Sequence, residues 1–283
     1  MESVRDLTAL RSVIKDWEKN GHTIAFVPTM GNLHDGHLSL LEEARKISDR
    51  TVVSIFVNPI QFGKGEDYAT YPSTLESDKD KLKSAGLDLL FTPNLKELYP
   101  GGVDVDTRVN VPELSSILCG KSRPDHFSGV ITVVTKLLIN VTPDFALFGA
   151  KDYQQLIIIR RMASALCIRT EIIGMPIIRE KDGLAMSSRN SYLSEDERKI
   201  APAIYQVLLC AADKLTKGNV RFEQVETEGY AELESAGLKP EYFSIRRTKD
   251  LGEVNSNDKN ISVLAAAWLG SARLIDNIKV VIE

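Results

Sequence analysis

The segment Pro28-Thr29-Met30-Gly31-Asn32-Leu33-His34-Asp35-Gly36-His37 carries two histidines three residues apart, behind a short apolar run. At the start of a helix, that spacing sends both imidazoles out on one side of the first turn. The free backbone N–H groups and the dipole of such a helix end attract anions, phosphate above all. Two imidazoles there can donate hydrogen bonds to phosphate oxygens. Gly31 and Gly36 let a backbone or a flat base approach closely. A metal site at His34, Asp35 and His37 is a second reading, but HxxH alone leaves a third ligand to be found. Plain capping of the helix is a third. The strand–turn–helix context favours the phosphate reading.

Three further polar segments follow apolar runs. Asn58-Pro59-Ile60-Gln61-Phe62 comes after residues 51–57, and Gly149-Ala150-Lys151-Asp152-Tyr153-Gln154-Gln155 after residues 145–148. Met186-Ser187-Ser188-Arg189-Asn190 stands near a change in the character of the chain. Each alone reads equally well as a solvated loop. Together they supply fixed positive charge (Lys151, Arg189), hydroxyls for phosphate (Ser187, Ser188) and neutral amides (Gln61, Gln155). That set suits a polyanion and a small polar partner.

The elements that must position these groups are legible as periodicity. Leu7, Leu10, Ile14 and Trp17 mark a helix closed by Asn20-Gly21. Residues 23–27 form a strand that Pro28 stops. A helix starts near His34, and residues 51–57 read as a buried strand, which makes a parallel βαβ unit. Ser73-Thr74-Leu75-Glu76 is a capping box opening a helix that ends near Gly86. Then come a strand at 89–91, an irregular loop from Pro93 to Gly102, a helix at 131–140 and a strand at 145–148. A helix at 154–166 and a strand at 170–173 complete the series. This alternation predicts an open, doubly wound α/β domain, with strand order left open.

After Pro176 the pattern changes. Ser194-Glu195-Asp196-Glu197 caps a long helix through about Thr216, another helix runs to Gly237, and three strands follow near 241–247, 261–268 and 274–282. Helices followed by adjacent strands predict a smaller α+β domain. The expected division is 1–180 and 181–283.

Composition excludes several classes of function. The 283 residues carry 35 Lys+Arg against 39 Asp+Glu, a formal net charge of −4. That balance argues against a general nucleic-acid or membrane-surface binder. No stretch reaches the roughly 18 apolar residues of a membrane span. The three cysteines, Cys119, Cys167 and Cys210, are far apart and form no CxxC pair, which points to a reducing, cytoplasmic setting.

Taken together, PTMGNLHDGH, SIFVNPIQFGKGEDYATYP, GKSRPDHFSGVITVVTKLL, FGAKDYQQL and MSSRNSYLS closely resemble the pantoate–β-alanine ligase family. The likeness runs in order from about residue 23 to residue 193, and more loosely beyond. It implies a two-step reaction in which ATP and pantoate give pantoyl adenylate and pyrophosphate, and β-alanine then gives pantothenate and AMP. It also implies Mg²⁺, a cytoplasmic homodimer, a Rossmann-like N-terminal ATP- and pantoate-binding domain and a C-terminal lid.

By motif, His34 and His37 hold the ATP phosphates, with His37 the usual proton donor. Met30 and Gly149 border the nucleotide. Lys151 contacts phosphate and Asp152 the ribose, while Ser187, Ser188 and Arg189 grip the triphosphate. Asn58, Gln61 and Gln155 match the pantoate-binding positions. Two residues depart from the family pattern: Ala150 stands where Glu is common, and Ser73 where Arg is common. Arg123 and His126 line either the site or a dimer contact. No metal ligand is assigned, Asp78 included. The alternatives are another HxGH-type nucleotidyltransferase acting on a different acid or a phosphate ester, a class I tRNA synthetase core, and a nucleotide-binding sensor without turnover.

Overall fold

Six short apolar segments build one parallel sheet in the computed structural model, which describes residues 1–63, 65–218 and 220–282. Its strands are β1 (Glu2–Val4), β2 (Ile24–Thr29), β3 (Arg50–Ile55), β4 (Leu89–Phe91), β5 (Phe145–Gly149) and β6 (Glu171–Met175), in the order β1-β4-β3-β2-β5-β6. The helices between them are α1 (Leu7–Lys19), α2 (Asp35–Ile47), α3 (Leu75–Ser84), α4 (Leu95–Leu98), α5 (Cys119–Ser122), α6 (His126–Val141) and α7 (Tyr153–Ala165). The expected doubly wound α/β sheet is therefore present. Order reverses between β2 and β5, and at such a switch point the loops beyond the C-terminal strand ends part to form a crevice.

Burial follows the two-residue period of the strands. Ala25, Val27, Val53, Leu90 and Leu147 pack with Leu40, Leu41 and Ala44 of α2 and Leu82 of α3. The alternate positions Ile24, Phe26, Val52, Leu89 and Phe91 are buried as well, as a sheet covered on both faces requires.

The chain divides into two units. One comprises 1–150 and 158–176, and the other 151–157 and 177–283. The second unit contains α8 (Glu195–Ile200), α9 (Ala203–Lys217), α10 (Phe222–Ser235) and an antiparallel sheet of β7 (Lys239–Arg247), β8 (Asn260–Leu269) and β9 (Ala272–Val281), ordered β7-β8-β9. Val207, Leu208 and Ala211 of α9 and Leu233 of α10 join Val263, Ala265, Leu274 and Val280 of the sheet in its core. Among the described residues no helix is long and apolar enough to cross a membrane.

Several local expectations change, each for a physical reason. Pro28 does not stop β2, which continues to Thr29 in register with Ile55 of β3. Pairing with β5 is confined to Ala25 and Phe26, so the missing Pro28 N–H interrupts no ladder on that side. The long helix expected from 195 to 216 is broken at Pro202 into α8 and α9. Its capping box does form, with Glu197 N–H donating to Ser194 Oγ and Ser194 N–H to Glu197 Oε2. The box expected at Ser73 does not; Thr74 is the N-cap of α3. The loop 93–102 contains α4, capped by Asn94. The added strand β1 is too short to show a period and pairs with β4 at the sheet edge.

Candidate active site

The first unit gathers its polar groups along the C-terminal edge of the parallel sheet. β2 delivers Met30, and His34 is the extended N-cap residue of α2. The rings of His34 and His37 lie 4.1 Å apart between centroids. The His34 backbone N–H donates to His37 Nδ1 across 3.4 Å. A neutral His37 held this way carries its proton on Nε2, as a donor.

A carboxylate fixes the loop before these histidines. Asp78, fully buried on the first turn of α3, accepts from the backbone N–H of Asn32 at 2.8 Å and of Leu33 at 2.9 Å. Thr74 Oγ1 donates to it as well, and Lys81 Nζ donates to the Leu33 carbonyl at 2.6 Å. Gly31 has φ +85°, and a Cβ there would meet Asp78 Oδ2 at 3.2 Å and Ile55 at 3.1 Å. One helix thus holds the loop by donors and acceptors at once. Composition and period gave no sign of this role; an acidic residue on a first helical turn normally reads as a solvated, dipole-complementing group.

A second chain of contacts fixes Gln61. Burial pushes the Tyr99 phenol up, leaving it a neutral donor to Asn58 Oδ1 at 3.0 Å. This orients the Asn58 amide, whose Nδ2 then donates to the Gly129 carbonyl at 3.1 Å and to Gln61 Oε1 at 3.4 Å. Gln61 Nε2 in turn points at Met30 Sδ, 2.9 Å away. Asn58 is only 1% exposed, so its amide is engaged with protein.

Arg123 and His126 belong to the same arrangement. His126 Nδ1 lies 2.8 Å from the Gln61 carbonyl, and Arg123 reaches that carbonyl at 3.4 Å. Arg123 also grips Glu66 with two 2.6 Å bonds. Burial disfavours the Glu66 carboxylate, but the hydrogen bonds and charge of Arg123 outweigh it and hold the group below its ordinary range. A Cβ on Gly129 would lie 2.6 Å from the Gln61 nitrogen, so α6 can approach Gln61 this closely only with glycine there. Lys64, within the NPIQFGKGEDYATYP segment, lies outside the described residues.

The second unit holds the remaining groups. Lys151 Nζ stands 3.7 Å from Asp152 Oδ2, and the Lys151 carbonyl accepts from Asn277 Nδ2 at 2.9 Å. Gln155 is on the first turn of α7. Ser187 caps the 3₁₀ turn Ser188–Tyr192 by accepting from the Arg189 N–H at 3.3 Å. Gly149 ends β5 in the first unit, so the Gly149-Ala150-Lys151-Asp152 segment crosses from one unit to the other.

Of the carboxylates near these groups, Asp78 accepts from two backbone donors and Asp152 stands beside Lys151. No group of three or more His, Cys, Asp or Glu is arranged to hold a metal among the described residues.

Measured against known proteins, the chain matches the profile of the Pantoate-beta-alanine ligase family over residues 2–279. The pantothenate synthetase of Marinobacter nauticus is 49% identical over 280 residues, covering 99% of each chain. The crystal structure of pantothenate synthetase from Thermus thermophilus superposes with a TM-score of 0.91 at 41% identity, over 98% of this chain and 99% of that one. The pantoate–β-alanine ligase of Francisella tularensis, crystallised with β,γ-ATP and β-alanine, superposes with a TM-score of 0.82 at 37% identity, over 98% and 97%. The chain belongs to the pantoate–β-alanine ligase family, and it is an enzyme of that class.

Proposed function

We propose that this chain joins pantoate to β-alanine in two steps, using ATP. In the first, a pantoate carboxylate oxygen attacks the α-phosphorus of ATP. The bond to the bridging oxygen breaks, pyrophosphate leaves, and pantoyl adenylate forms. In the second, the β-alanine amine attacks the acyl carbon. The bond to AMP breaks, the amine loses a proton, and pantothenate results.

The observation that carries this reading is the fixed amide of Gln61 on the same sheet edge as the His34–His37 pair. Donors for phosphate thus accompany a neutral group that can orient a carboxylate without neutralising it. Attacker and triphosphate are both anionic, so cations must offset their repulsion. Lys151, Arg189 and the two histidines act on the charge that builds on the leaving pyrophosphate, and one such donor is typically worth about 2.7–4 kcal/mol in the barrier. Met30 and the Gly149 backbone border the nucleotide, Asp152 takes the ribose hydroxyls, and Ser187 and Ser188 take phosphate oxygens. Gln61 and Gln155 hold pantoate. Asn58 serves by holding Gln61.

Mg²⁺ enters in this reading as part of the MgATP substrate, carried on phosphate oxygens as this ion usually is. The unit containing 187–189 works as a lid on the chemistry, protecting the acyl adenylate from water. A cytoplasmic homodimer completes the reading; three cysteines without a disulfide suit a reducing compartment.

The test follows AMP and pantothenate side by side, with ATP, pantoate and β-alanine omitted in turn. Pantothenate should need all three. Full turnover with another acid in place of pantoate, and none with pantoate, would overturn the assignment.

A further inference from the structure

Asp276 and Asn277 are consecutive residues of β9, opposite Ala265 and Leu264 of β8, and both are buried. Successive side chains on a strand point to opposite faces. Asp276 shares its face with the core residues Leu274 and Val280. Asn277 shares the other with Lys279, whose ammonium lies 5.1 Å from the Tyr153 ring.

On the first face, Arg179 binds Asp276 with two bonds of 2.6 and 2.9 Å. The same guanidinium donates to the Gly183 carbonyl at 3.0 Å and lies 3.6 Å from the Tyr205 ring centroid. It therefore fixes a tight hairpin, in which Glu180 N–H donates to Leu184 O and Met186 N–H to Ile178 O. Asn190 Nδ2 donates back to the Ala185 carbonyl. Ser187, Ser188 and Arg189 lie between those last two anchors. A buried ion pair is a poor source of net stability, since apolar residues of similar volume often serve as well. What it supplies here is a defined position for the hairpin.

On the second face, Asn277 Nδ2 donates to the carbonyl of Lys151 itself. Tyr153, two residues on, is tied by its hydroxyl to the Thr248 carbonyl at 2.7 Å. One point on β9 thus anchors the segment bearing Lys151 and the segment bearing Arg189.

We propose that Asp276 and Asn277 are a shared pair of positioning residues for adenylate formation, Asn277 acting through Lys151 and Asp276 through residues 186–189. The proposal rests on the roles given above to Lys151 and Arg189. Neither residue touches substrate; each sets where a cation stands. Small misplacements suffice, because an error of about 1 Å at a reacting centre costs up to roughly a hundredfold in rate.

The experiment is a set of double-mutant cycles on single-turnover adenylation by the full-length enzyme. Asn277→Ala should slow adenylation by roughly ten- to a hundredfold while the pantoate KM stays near the parent value and the protein stays folded at the assay temperature, its unfolding midpoint lowered by the one lost hydrogen bond. Asn277→Asp, of the same shape but unable to donate when ionised, should be slowed as much. In a Lys151→Ala background, Asn277→Ala should add almost nothing, whereas in an Arg189→Ala background its full effect should remain. Asp276→Asn should show the converse pattern, and if it fails to fold the Asn277 variants still decide. A normal rate for Asn277→Asp, or full multiplication of Asn277→Ala with Lys151→Ala, would overturn the positioning role. A normal rate for Lys151→Ala alone would overturn the underlying functional reading, and this proposal with it.

Discussion

In the first unit, the loop from Asn32 to Leu33 is tied to α3 through a fully buried carboxylate and a lysine. In the second, the Ser188–Tyr192 turn contains no buried residue and is held by a hydroxyl cap and by Asn190. Both segments carry groups assigned to the triphosphate, yet one is anchored from within a core and the other from a strand remote in sequence. Donors that need not reorganise as charge develops give the largest electrostatic effect. Preorganisation thus has two sources: a core carboxylate and amide relay for the loop and Gln61, and anchors on β9 for the segments bearing Lys151 and Arg189.

Removing charge should have the largest effect. Lys151→Ala is expected to slow adenylation by roughly two to three powers of ten without unfolding the protein, as single-turnover kinetics with parallel thermal melts will show. Removing the anchor of the loop comes next. Asp78→Ala leaves two buried N–H groups without their acceptor and should destabilise the fold by roughly 3 kcal/mol, read by denaturant unfolding. An equal loss of stability from an exposed control such as Asp80→Ala would break the comparison. Arg189→Ala should slow adenylation by about tenfold or more and raise the ratio of AMP released to pantothenate formed. An unchanged rate and ratio would remove this turn from the chemistry. Tyr99→Phe leaves the Asn58 relay without its donor. It should cost about 1 kcal/mol of stability and weaken pantoate binding several-fold, with ATP binding unchanged in calorimetry.

The smallest effect is that of pH on the Gln61 clamp. The Glu66 carboxyl is held below its ordinary value of 4.5 in the folded state. Its contribution is therefore present above that pH and is lost as pH falls through the lower folded value. The unfolding midpoint should drop over that acid window, and Glu66→Gln should flatten the drop.

The sequence revealed what repeats or clusters. The strand–helix alternation, the two histidines at a helix start and the loops at strand ends were all legible, because period and residue type act locally. Strand order was not, since β4 pairs with β1 and β3 through contacts remote in sequence. Nor were the groups that hold the site. Asp78, Tyr99, Arg123, His126, Asp276 and Asn277 act across 40 to more than 100 residues of chain, and no local pattern distinguishes a buried carboxylate from a solvated one. The sequence leaves Arg123 and His126 open between the site and a dimer contact; in the structure both reach the Gln61 carbonyl.

In the proposed reaction an enzyme-bound pantoyl adenylate forms before β-alanine reacts. That order is tested most directly by exchange of labelled pyrophosphate into ATP, with pantoate present and β-alanine omitted. Rapid exchange is expected with pantoate alone and none with β-alanine alone. Exchange that strictly required β-alanine would contradict that order.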